Sequence, residues 1–294
     1  MKKILLLLLL CSSLSFAQTS SNFITDNKDR KVLWGEFEMA DLTRPAFNDW
    51  FQSGYEAYQP DQQAVNQLKS EIGNYQIEVY MGTWCGDSKR EVPRLINLFG
   101  EIEAPKENVR MVAIRGDNPY YKQGPKGETM GKNIHRVPTI IISKNGQEIG
   151  RIVEEPMESL EADLLNIIQG DYKAQYPLAN AVGALLDKDL NWVANQNELQ
   201  DLQKQWQSKS DSFYELNTLA FVLSTQKREQ QALSVLKLNG MLFPKEAQVH
   251  YRLGKKLEEL EQFKEAALSY AKALELKPEI EDYALALKRV QGSE

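Results

Sequence analysis

The feature that most constrains this chain is where its strand pattern stops. All the strand-like stretches lie before Tyr172, and the apolar residues after it recur at helical spacing. A mixed α/β half should therefore precede an all-helical one. The clearest strand signal is a hairpin: Val137-Pro138-Thr139 leads into an apolar run, then Asn145-Gly146, then a second run to Val153. Asn-Gly supplies the positive φ angles of a tight turn between antiparallel strands. Upstream, Ile77, Val79 and Met81 alternate with Glu78 and Tyr80, and Asn108 to Ile114 reads as another strand. A helix is expected from just after Cys85 to about Gly100, and another opened by Pro156 and stopped by Gly170. Residues 40–58 and 61–72 have helical spacing, with Pro60-Asp61 between them as break and cap. Lys31 to Glu38 is expected to form a short strand, and residues 116–134, rich in Gly, Pro, Asn and Lys, a loop with at most one helical turn.

In the second half, residues 178–208 read as two helices with a Gln- and Asn-rich polar face. Beyond them Ala232, Leu236 and Pro244 recur 34 residues later as Ala266, Tyr270 and Pro278, and Leu219-Ala220 recurs as Leu253-Gly254. Thirty-four is the tetratricopeptide period, so 213–246 and 247–280 resemble such repeats, with 281–291 as a capping helix. Two repeats are too few to stand alone and must lean on neighbouring helices or on the first half. The expected division is a leader at 1–17, a loose lead-in at 18–30, an α/β domain at 31–172 and an α-helical domain at 173–294.

Met1-Lys2-Lys3 followed by the apolar run Ile4 to Leu10 and Ser15-Phe16-Ala17 has the form of a signal peptide cut after Ala17. The run is too short to span a bilayer, and no later stretch is long and apolar enough. The protein is thus expected to be exported, periplasmic or secreted; Leu10 is too bulky to favour lipidation at Cys11. The formal charge of −6 becomes −8 without Lys2 and Lys3. An acidic, evenly mixed chain lacks the clustered cations that nucleic acid requires. Only Cys11 and Cys85 are present, so after cleavage one thiol remains and no internal disulfide can form.

Cys85 follows a strand and opens a helix, where free N–H groups and the helix dipole favour a thiolate. Asp87 opposes that effect; Lys89 and Arg90 assist it. The stretch Trp84-Cys85-Gly86-Asp87-Ser88-Lys89, with Pro93 eight residues after the cysteine, resembles the active site of the thioredoxin family, whose usual form is Trp-Cys-Gly-Pro-Cys. Val137-Pro138-Thr139 before the hairpin matches that family's cis-proline loop, which faces the cysteine. The resemblance covers roughly residues 72–170. It implies a thioredoxin-like mixed sheet flanked by helices, with Cys85 and Ser88 as the catalytic pair, Trp84, Val137 and Pro138 contacting a client, and Gly86 and Pro93 shaping the site.

Three positions depart from the family: Asp87 replaces its proline, Ser88 its second cysteine, and Val79 its buried acid, for which Glu78 is a partial substitute. A thiolate that attacks a disulfide becomes a mixed disulfide. Ser88 cannot resolve it and is expected only to donate a hydrogen bond to the sulfur. The adduct must await an outside thiol or reverse. The resemblance therefore implies monothiol exchange — isomerisation, deglutathionylation or client trapping — with protein or peptide clients, and with the repeats choosing a partner. The rival reading is a binding or assembly protein whose thiol is idle. No cofactor or metal is expected: one Cys with His135 and His250 does not make a metal site, no phosphate-cradling loop occurs, and the cysteine contexts of peroxide-reducing relatives and monothiol glutaredoxins fit less well. His250 is read as structural, and His135, three residues before Pro138, as a loop residue with no assigned role. Arg115-Gly116-Asp117 has the form of an adhesion tripeptide but ends a strand and is read as coincidence.

Overall fold

The computed structural model describes residues 23–190 and 192–292. The expected leader, Cys11 and residues 18–22 of the lead-in lie outside the described residues. Where the lead-in is described it is ordered. β1 (Phe23–Thr25) pairs antiparallel with β2 (Lys31–Leu33), Phe23 opposite Leu33. Asp26 organises the turn between them by accepting from the N–H groups of Lys28 and Arg30, each at 2.9 Å. The expectation of a loose segment up to residue 30 is corrected there: Phe23 packs edge-on against Phe47 at 5.6 Å, a contact that composition cannot reveal.

The remaining strands are β3 (Gly35–Glu36), β4 (Gln76–Met81), β5 (Val109–Ala113), β6 (Thr139–Lys144) and β7 (Gln147–Val153). They form one mixed sheet in the order β3-β5-β4-β6-β7; β4 and β5 are parallel and the other pairs antiparallel. Parallel β4 and β5 need a crossover, which is α4 (Gly86–Glu101). Asn145 and Gly146 turn β6 into β7 with φ of 53° and 76°, as Asn-Gly demands.

α1 (Met39–Leu42), α2 (Asn48–Ala57) and α3 (Gln62–Glu71) precede β4. The single helix expected over 40–58 is interrupted, because Pro45 restricts Arg44 to non-helical backbone. After the hairpin, α5 (Leu160–Gln169) starts later than Pro156, since Ser159 is its N-cap and accepts from Ala162 N–H at 3.2 Å. Gly170 ends it at φ 79°. Ile77, Val79 and Met81 face a core built with α2 to α5 from Phe51, Leu68, Leu95 and Leu164, among others. Tyr80, Val112 and Ile141 point the other way, against Ile134, Val137, Trp84 and Cys85. Residues 115–138 cover that second face without any helix.

Among the described residues no strand follows Val153. The helical half consists of α6 (Pro177–Lys188), α7 (Gln196–Trp206), α8 (Tyr214–Thr225), α9 (Glu229–Leu242), α10 (Ala247–Glu259), α11 (Phe263–Leu276) and α12 (Glu281–Gln291). The positions that recur at 34 residues are internal: Ala232, Ala266, Leu236 and Tyr270 are buried. Gly254 is required by packing, since a Cβ there would lie 2.6 Å from the Tyr270 ring. The helical half leans on loop 115–138. Gln123 donates to Thr225 O at 2.9 Å, the Thr225 hydroxyl to Tyr121 O at 3.2 Å, and Asn133 to Ala179 O at 3.2 Å. No helix among the described residues is long and apolar enough to cross a membrane.

Candidate functional site

Cys85 lies just beyond the end of the central strand β4 and is the N-cap residue of α4. Its own N–H donates to Gly82 O at 2.9 Å and its carbonyl accepts from Lys89 N–H at 3.1 Å, so the helix starts directly beneath the sulfur. The residue is half-buried and its thiol is free. The side chain makes no capping bond; instead the thiol donates to Val137 O at 3.3 Å. The bond between Val137 and Pro138 is cis. Cys85, Val137 and Pro138, far apart in sequence, are thus brought together.

Ser88 differs from expectation. It is fully buried, and its oxygen accepts from Gly82 N–H at 3.2 Å; no hydrogen bond joins it to Cys85. One turn into a helix that runs under the sheet, the hydroxyl meets the backbone leaving β4 before it meets the sulfur. On α4 the sulfur lies 4.0 Å from the Asp87 carboxylate, which is paired with Arg90 at 3.0 Å. Gly86 opens the helix, but a Cβ there would meet open space, so no contact requires a glycine. Pro93 is buried where α2 crosses α4, and Gly54 lets the two helices approach: a Cβ there would be 3.0 Å from Pro93 Cβ.

Trp84 is closely held by two glycines and a backbone carbonyl. Its indole N–H donates to Ile114 O at 2.8 Å, and a Cβ on either Gly82 or Gly116 would lie 2.4 Å from the ring. Tyr121 tilts against it at 6.4 Å between centroids, and Phe221 of α8 meets Tyr121 at 5.1 Å. An aromatic row therefore runs from beside the thiol to the helical half. Gly116 belongs to the Arg115-Gly116-Asp117 tripeptide, which is turned inward: Arg115 Nε donates to Asp117 at 2.6 Å and Asn27 N–H to Asp117 at 2.9 Å.

Glu78 does not replace a buried acid at the sulfur. Its carboxylate is bound to Lys132 at 2.5 Å, Arg110 at 3.1 Å and the Tyr80 hydroxyl at 3.1 Å. Burial opposes ionisation there, yet these partners hold the carboxyl below the usual range. No group of three or more His, Cys, Asp or Glu residues among the described residues is arranged to hold a metal. No family model matches the chain, and no curated protein matches it.

Sequence reasoning gave no part to Tyr121, Lys122 or the two glycines beside Trp84, and read His135 as a loop residue without a role. His135 is fully enclosed; its Nδ1 lies 3.3 Å from Asn133 O and its Nε2 has no partner. Burial, with the charge of Lys122 adding to it, pushes its pKa down to about 3, against an unfolded value of about 6.5. A depressed histidine pKa means that the unfolded chain binds the extra proton first. Its contribution to stability is intact above pH 6.5 and is lost as pH falls toward 3. Between pH 7 and 5 the wild-type chain should lose about 2 kcal/mol more stability than His135→Gln. Urea unfolding at the two pH values measures this; parallel losses would show that His135 is not the responsible group.

Proposed function

We propose that this chain is an exported thiol–disulfide exchange protein of thioredoxin-like type that works through one thiol, Cys85. The observation that carries this is the position of the sulfur: half-buried at the start of α4, beyond the central strand, and 3.3 Å from the carbonyl before Pro138. A peptide reaching that sulfur meets the Val137 backbone, the Trp84 wall and the Tyr121–Phe221 row together. Support for the family reading comes from the order of Trp84-Cys85, Pro93, Val137-Pro138 and the hairpin, and from the sheet order around β4. The buried, 34-residue-spaced Ala232 and Ala266 support tetratricopeptide-like repeats in the helical half. In this reading the repeats select a protein partner and an outside thiol resolves the adduct.

The step is a displacement. The Cys85 thiolate attacks one sulfur of a client disulfide; the new S–S bond forms as the old one breaks, and the other client sulfur leaves with the electron pair. With no second thiol among the described residues, the next displacement needs a thiolate from outside. Trapping from cells tests this. The wild-type chain should yield client adducts that vanish on reduction and are absent from Cys85→Ala. An unreactive sulfur in the folded chain, with no adducts, would leave the platform reading.

A further inference from the structure

We propose that Lys122 is the internal counter-ion of the Cys85 thiolate, a positioning residue whose ammonium balances the anion and is left unbalanced when the sulfur enters a mixed disulfide. The inference rests on the exchange reading above and deepens it. Lys122 is 5% exposed, deep in the loop between the sheet and the helical half. Its Nζ donates to the backbone carbonyl of His135 and stands 5.4 Å from the centre of the Tyr121 ring. Among the described residues it forms no ion pair. A buried ammonium held by one carbonyl and an aromatic face is costly unless an anion accompanies it.

The Cys85 sulfur, as an anion, acts on this ammonium. Cys85 and Lys122 grip the same loop at carbonyls two residues apart, Val137 O and His135 O. The Tyr121 ring touches both the lysine and Trp84. The other charged groups on this side are already engaged: Asp87 by Arg90 at 3.0 Å, and Glu154 by Arg136 at 2.8 Å and by the Tyr176 hydroxyl. His135 is neutral in its enclosure. Burial, followed by the charge of Arg136, lowers the pKa of Lys122 to about 8, with Glu154 and Cys85 acting in the opposite direction. The lysine thus remains largely protonated at neutral pH, and its charge depends on that of the sulfur.

This pairing bears on a site without a second cysteine. When Cys85 attacks, the negative charge departs on the client sulfur, which takes the electron pair of the broken bond. Lys122 then faces a neutral disulfide. It can give its proton to the departing thiolate, yielding a thiol and a neutral amine. When an external thiolate attacks the client sulfur of the adduct, the Cys85 sulfur leaves as an anion and the ammonium again has its partner. The lysine therefore favours Cys85 both as nucleophile and as leaving group.

The test follows iodoacetamide alkylation of Cys85 across pH in the mature chain and in its Lys122→Met and Lys122→Arg forms. Lys122→Met should react about tenfold more slowly at pH 7, with the gap closing above about pH 9.5, and Lys122→Arg should retain most of the rate. A wild-type chain that reacts readily while Lys122→Met shows the same pH profile would overturn the counter-ion and leave the exchange reading standing. A wild-type sulfur that does not react would overturn both. A second measurement needs no variant: the Nζ titration of Lys122, followed by NMR, should move to lower pH once Cys85 is capped by methylthiolation. An unmoved midpoint would overturn the proposal.

Discussion

Phe51→Ala should cost the folded protein about 3–5 kcal/mol, the range for emptying a large aromatic site in a packed core. Phe51 is 0% exposed and lies between Trp50, at 6.5 Å, and Tyr55, at 5.7 Å. It belongs to α2, ahead of the strand that leads to the cysteine, yet it shares one core with β4, α4 and α5. Glu161 of α5 joins the two regions again, accepting from the Tyr58 hydroxyl and from Asp61 N–H at 3.0 Å. The loss should therefore appear in the unfolding of the sheet, read by urea titration. A loss below about 1 kcal/mol would mean that the first helices pack as an appendage.

Gly116→Ala is the second large effect, and it acts on the site. The added methyl would enter the Trp84 ring, which Gly82 also approaches closely and whose indole N–H is tied to Ile114 O. Overpacking of this kind costs about 1–3 kcal/mol. Because Trp84 adjoins Cys85, the alkylation rate of the thiol should change as well. Gly86→Ala serves as the control, since its Cβ meets open space; its stability should stay within about 0.5 kcal/mol of the parent. A Gly116→Ala chain with unaltered stability and alkylation would show that Trp84 does not hold the site in shape.

Features with a local cause were legible in the sequence. Asn145-Gly146 dictated its turn, alternation exposed β4, and the cap-and-stop residues Ser159 and Gly170 bound α5, although Pro156 drew the expected start too early. The pairing of Cys85 with Val137 was legible through motif order. Features with a distant cause were not. Nothing around Phe23 signals that it will pack on Phe47. Lys122 stands in a polar, Gly- and Pro-rich stretch that reads as solvated loop, yet it is buried against the His135 carbonyl and the Tyr121 ring. Ser88 failed as a partner of the sulfur for a similar reason: its hydroxyl was claimed by Gly82, whose position depends on the strand before it.

Cys85 is the one cysteine among the described residues. A chain beginning at residue 18 therefore carries a single chemical handle, placed where the aromatic row from Phe221 ends. A dye or nitroxide attached there would act as a gauge at the seam: it would register any change in the packing of the helical half as a change in its own mobility, with no further engineering of the chain.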